Sequence, residues 1–139
     1  MKKIILIVDD DVDAVTALQD RLVMVGYDTL IATDGIAALQ ILEHVRPDLM
    51  LLDLDMPYMN GLEVLRCLSC RHERESHTAI PVVIITAYVT AEQAAAAIRA
   101  GIVGFVAKPF AWKQLFTVLQ EAMTHPSCIV PAMPAHDHR

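Results

Sequence analysis

Leu49-Met50-Leu51-Leu52-Asp53-Leu54-Asp55-Met56-Pro57-Tyr58-Met59-Asn60-Gly61 decides the fold. A short apolar run of buried-strand type ends in a carboxylate, and a turn rich in Asp, Pro, Asn and Gly follows at once. Working outward, three more apolar runs end in chemistry. Ile4-Ile5-Leu6-Ile7-Val8 runs into Asp9-Asp10-Asp11. Val82-Val83-Ile84-Ile85 runs into Thr86-Ala87, and Val103-Gly104-Phe105-Val106-Ala107 into Lys108-Pro109. Carboxylates, a hydroxyl and an amine thus sit at the carboxyl ends of strands, the edge of an open parallel sheet where sites form.

Between these runs the pattern turns helical. Val12, Val15, Leu18, Leu22 and Val25 recur at helical steps over residues 12–25, and Gly26 stops that helix. Tyr27 to Ala32 reads as a strand. Asp34 caps a helix carrying Ile36, Leu39, Ile41 and Leu42 that ends before Pro47. Residues 48–52 form the central strand, and a third helix runs from Gly61 to about Arg71, before a polar connection over residues 71–78. Thr90 and Gln93 make a capping box for a fourth helix ending at Gly101, and the fifth spans residues 111–124. Alternating strand and helix imply an α/β fold with a parallel sheet covered on both faces. Five such units match the doubly wound, flavodoxin-like (βα)5 strand order 2-1-3-4-5, with the less apolar strands 2 and 5 at the edges. Residues 1–124 are expected to form one domain. Residues 125–139, with three prolines and no periodicity, read as a flexible tail or truncated linker.

With 139 residues, 55% of them hydrophobic, the chain can bury a sizeable core. A net charge of −6 argues against a nucleic-acid-binding surface. No apolar run is long enough to span a bilayer, and the five apolar residues after Lys2-Lys3 read as a strand rather than an export signal. Cys67, Cys70 and Cys128 are then expected as free thiols in a reducing cytoplasm. Cys67 and Cys70, near His72 and His77, have a weak zinc-site spacing, but no second pair completes it.

The strand-end residues suit one reaction. A carboxylate can attack phosphorus if the charge of two meeting anions is cancelled. Asp9, Asp10 and Asp53 offer the hard oxygens that Mg²⁺ prefers. Lys108 adds a compact positive charge, and Thr86 a hydroxyl donor to a phosphoryl oxygen. No general base is needed, because the nucleophile is already an anion.

Val8-Asp9-Asp10-Asp11, Leu52-Asp53-Leu54-Asp55-Met56-Pro57 with Asn60-Gly61, Thr86-Ala87 and Lys108-Pro109-Phe110 occur in order, each ending a strand. In this the chain resembles the receiver domain of bacterial response regulators over roughly residues 2–124. The resemblance implies that Asp53 is phosphorylated by a sensor histidine kinase or a histidine phosphotransfer protein. It implies Mg²⁺ held by Asp9, Asp10, Asp53 and the backbone carbonyl of Asp55, with Thr86 and Lys108 on the phosphoryl group. It further implies a cis Lys108–Pro109 peptide and a switch in which Thr86 moves toward the phosphate while Phe105 turns inward. The face made by the fourth helix, fifth strand and fifth helix would be a docking surface for an effector or a second copy. Phe105 lacks the hydroxyl of the tyrosine that many members carry there. Asp55 and Tyr88 are expected to tune the lifetime of the phosphate, Tyr88 by screening it from water. The competing enzyme reading is a haloacid-dehalogenase-type phosphatase using Asp53 and Asp55. It leaves Asp9 and Asp10 unexplained, and Pro57 departs from that family's motif.

Overall fold

The computed structural model describes residues 2–56, 59–75 and 80–124, and for residues 69–75 the backbone alone. It contains β1 (Ile4–Val8), α1 (Val12–Met24), β2 (Asp28–Ala32), α2 (Gly35–Leu42) and β3 (Leu49–Leu52). These are followed by α3 (Gly61–Glu75), β4 (Val82–Thr86), α4 (Ala91–Arg99), β5 (Gly104–Ala107) and α5 (Trp112–Thr124). The strands form one parallel sheet in the order β2-β1-β3-β4-β5, as the alternating sequence pattern predicts.

Strict alternation along each strand builds two cores. Leu6, Val8, Met50, Leu52, Val82, Ile84 and Phe105 point to one face, where they meet residues of α2, α3 and α4. Ile5, Ile7, Leu49, Leu51, Val83, Ile85 and Val106 point to the other, under α1 and α5. Because β1, β3 and β4 are covered on both faces, their sequences are apolar up to Thr86 at the carboxyl end of β4. Edge strand β2 runs from exposed Asp28 through three half-buried residues to buried Ala32.

The helix ends follow local chemistry. Asp11 caps α1, its side chain accepting from the N–H groups of Asp13 and Ala14. Asp34 caps α2 by accepting from Ala37 N at 2.7 Å. Thr90 and Gln93 form the expected reciprocal box at α4. Gly26 and Gly101 follow α1 and α4 with φ of 102° and 93°, conformations that a side chain would strain.

Element limits otherwise lie within a residue or two of expectation, with one larger departure. Helix α3 continues to Glu75 rather than ending near Arg71. The polar run Arg71-His72-Glu73-Arg74-Glu75 contains neither Gly nor Pro, so nothing in it stops a helix. Its start carries a second reciprocal box: Asn60 N donates to Glu63 Oε1 at 2.9 Å and Glu63 N to Asn60 Oδ1 at 3.0 Å. Among the described residues no helix is long and apolar enough to cross a membrane. The tail at 125–139 lies outside the described residues, as do the side chains of Cys70, His72 and His77 on which the zinc reading depends. Cys67 is a free, half-buried thiol.

Candidate functional site

The sheet ladder continues past the strand ends and carries the chemical residues with it. Asp9 N donates to Ala32 O (3.1 Å), Asp53 N to Val8 O (2.9 Å) and Lys108 N to Thr86 O (2.9 Å). The main chain at Asp9, Asp53, Thr86 and Lys108 is therefore as fixed as the strands themselves. All four residues gather at the carboxyl edge, where β1 and β3 are neighbours.

Burying a charge costs several kcal/mol unless it is partnered. Among the described residues the buried polar or charged ones are Asp9, Asp53 and Thr86. All three belong to this site. Each carboxylate has one oxygen held by the N–H two residues on: Asp11 N donates to Asp9 Oδ1 (3.0 Å) and Asp55 N to Asp53 Oδ1 (3.1 Å). These are Asx turns, which a short acidic side chain makes readily. Lys108 Nζ donates to Asp9 Oδ2 at 2.9 Å but stands 3.8 Å from Asp53 Oδ2. Burial pulls the Lys108 ammonium pKa down. The hydrogen bond to Asp9 and the charges of Asp9, Asp53 and Asp11 outweigh it, so the net shift is upward and the lysine stays charged.

Asp53 is poised differently. Burial pushes its carboxyl up and is the largest influence. The Asp55 N–H pulls it down, Asp9 pushes it up again, and Lys108 and Thr86 pull it down by less, leaving it raised to about 6. The single Thr86 hydroxyl hydrogen is directed at the Tyr88 carbonyl oxygen (3.3 Å), so its hold on Asp53 is weak.

Asp9, Asp10 and Asp53 each present a carboxylate oxygen within 4.8 Å of the others. Octahedral Mg²⁺ with ligands at about 2.1 Å places its oxygens roughly 3–4 Å apart. The trio therefore fits that ion with slight closure or with water in one position, and exposed Asp10 leaves water access. The donor set is all oxygen, which suits Mg²⁺ and not a thiolate-seeking metal.

A profile of the response regulator receiver domain matches residues 5–120. The chain belongs to the response regulator receiver family. It is 36% identical over 120 residues to the regulatory protein AtoC of Escherichia coli K12, covering 86% of this chain and 25% of that protein. It is also 36% identical over 115 residues to the DNA-binding response regulator MtrA of Mycobacterium tuberculosis, covering 83% of this chain and 48% of that one. The chain thus spans between a quarter and a half of these relatives. Among solved structures, a CheY-like receiver domain from Methanospirillum hungatei JF-1 superposes with a TM-score of 0.80 at 27% identity, over 89% of this chain and 95% of that one. The receiver domain is a signalling module of two-component systems, and the haloacid-dehalogenase-type alternative finds no support.

The structure brings together Asp9, Asp10, Asp53 and Lys108, and places Thr86 beside them. The Lys108–Pro109 peptide is cis. Phe105 lies inside, 5% exposed, in the core shared with Ile84, Val89, Ala94 and Ala97. Pro57 and Tyr58 lie outside the described residues. Tyr88 does not sit as a lid: it is 73% exposed, and its contact with the site is its main-chain carbonyl on Thr86. Trp112, which opens α5, packs on the face shared with α1, with Arg21 4.7 Å over its ring. Its neighbours Phe110 and Phe116 complete that cluster. Sequence reading missed Asp11 as the group that fixes Asp9. The available signal was an aspartate directly after each strand, since any non-proline residue two positions on supplies the N–H of an Asx turn.

Proposed function

We propose that this receiver domain accepts a phosphoryl group on Asp53 from a sensor histidine kinase or a histidine phosphotransfer protein, in a Mg²⁺-dependent reaction. The observation that carries the reading is the buried Asp53 carboxylate, with one oxygen fixed by Asp55 N–H and the other 3.8 Å from an ammonium engaged elsewhere. An Asp53 oxygen forms the new P–O bond as the donor's P–N bond breaks, and the donor imidazole nitrogen leaves with the electron pair. No proton has to leave the nucleophile. Asp9, Asp10, Asp53 and the Asp55 carbonyl would hold the ion, which when bound supplies positive charge to the phosphoryl oxygens. Lys108 contributes a second positive charge from β5, and Thr86 reaches the phosphoryl group by exchanging its Tyr88 partner for a phosphoryl oxygen.

That exchange ties the new charge to the β4–α4 connection, and Phe105 on the adjacent strand packs against the same helix. Phosphorylation then shifts the population between two packings of α4, β5 and α5, the surface offered to an effector or a second copy. The domain acts as a switch, catalysing only its own phosphorylation and dephosphorylation, and its place is the cytoplasm. The experiment is exposure to acetyl phosphate with Mg²⁺, read by intact mass. Wild type is expected to gain one phosphoryl group, and Asp53→Ala none. A full gain by Asp53→Ala, or none by wild type, rejects the reading.

A further inference from the structure

Two glycines of this fold have positive φ, and Gly61 is not one of them. Its backbone would accept any L residue, so conformational freedom does not explain it. Space does. A Cβ at Gly61 would stand 2.6 Å from the Asp53 carbonyl oxygen, 2.8 Å from Leu54 Cα and 2.9 Å from Leu54 Cδ2. Non-bonded carbon contacts settle near 3.5–4 Å. Two of the three obstacles are main chain, which cannot swing aside as a side-chain tip can. Gly61 N also donates to Leu54 O at 3.1 Å. The first turn of α3 therefore sits directly on the Asp53–Leu54 peptide, in contact on two sides.

That peptide opens the Asx turn in which Asp55 N–H holds Asp53 Oδ1. The reciprocal Asn60–Glu63 cap fixes the first turn of α3 from the other end. A continuous line of contacts runs from the cap through Gly61 to the reactive carboxylate. We infer that Gly61 is a positioning residue for Asp53 and Asp55: its missing side chain lets α3 clamp the turn that sets the acceptor oxygen and the metal-facing main chain. The inference rests on the phosphoryl-accepting reading above and extends it to a residue that touches neither phosphate nor metal.

Gly61→Ala lifts α3 off the turn. The change is expected to weaken Mg²⁺ binding about 10–100-fold, the range for losing support behind a metal ligand, with slower phosphoryl uptake from acetyl phosphate. Gly104→Ala is the control for crowding alone. Its Cβ would meet Val118 Cγ1 at 2.8 Å and Val83 Cγ2 at 3.2 Å, side chains in the core under α5 and away from the Asp53 turn. The 139-residue wild-type chain and both variants are compared by calorimetric Mg²⁺ titration, thermal melting and uptake followed by mass. Gly104→Ala is expected to melt earlier yet bind Mg²⁺ as wild type does. Should Gly61→Ala fail to fold, Asn60→Ala loosens the clamp without adding a side chain, and a smaller loss of Mg²⁺ affinity is expected. Wild-type affinity in Gly61→Ala, equal losses in both glycine variants, or (where Gly61→Ala does not fold) unchanged affinity in Asn60→Ala overturns the inference alone. A wild type that neither binds Mg²⁺ nor takes up phosphoryl overturns the functional reading with it.

Discussion

The loops after β1 and β3 are built alike and end differently. Each follows a strand whose last four residues are buried, each turns on an aspartate, and each fixes one carboxylate oxygen with the N–H two residues later. After β1 the chain enters a helix at once, capped by Asp11, and Asp9 takes the lysine at 2.9 Å. After β3 the chain needs eight more residues to reach Gly61, and Asp53 keeps the lysine at 3.8 Å. One carboxylate is paired, and the other is buried with its charge only partly offset. The difference separates a structural anion from a reactive one. A nucleophile that gave its lone pairs to a salt bridge would be a poor nucleophile.

The contrast can be broken from the paired side first. Lys108→Met leaves Asp9, 1% exposed, without its cation. Stability should fall by about 3 kcal/mol, the lower end for an orphaned buried charge, read from denaturant midpoints in EDTA. Millimolar Mg²⁺ should restore part of that loss, since binding to the folded state adds stability. No restoration would separate Asp9 from the metal site.

The partly offset side should respond with the opposite sign. An acid whose folded pKa is raised binds more protons folded than unfolded between the two values. The contribution of Asp53 to stability therefore rises as pH falls from about 6 toward 3.8, and its ionised side chain costs stability above that window. Asp53→Asn is expected to stabilise the metal-free protein by about 1–3 kcal/mol at pH 8, the gain shrinking toward pH 4. A pH-independent gain would mean that the strain at Asp53 is steric rather than electrostatic.

The smallest effect belongs to the rim. Tyr88 is 73% exposed, so Tyr88→Ala should shorten the life of the acyl phosphate only slightly, followed as mass loss after removal of the donor. A large acceleration would show the ring folding over the phosphoryl group, as its position in the sequence suggests.

The same two loops mark how far the sequence could be read. Strand runs, the caps at Asp34 and Thr90, and the carboxyl-edge residues are local signals, and each was legible. The end of α3 was not, because a polar run without Gly or Pro reads equally as connection or as helix. The Asn60–Glu63 box was hidden inside a turn motif that already had a meaning. Gly61 looked like a turn glycine, and its crowding appears only when α3 is laid on Leu54. The unequal sharing of Lys108 depends on a contact 99 residues apart along the chain, which no local pattern encodes.

Trp112 is the single tryptophan of the chain. Its indole is wedged between Arg21 of α1 and the rings of Phe110 and Phe116, and Phe110 follows the cis prolyl bond after Lys108. The molecule thereby carries an unlabelled optical gauge two residues beyond the end of its own site loop. Any shift of Lys108 on ion binding or phosphoryl uptake that pulls on Phe110 should change the emission of that one indole. The same cuvette trace would then time events at the acid pocket and show whether they are felt across the sheet, under α1.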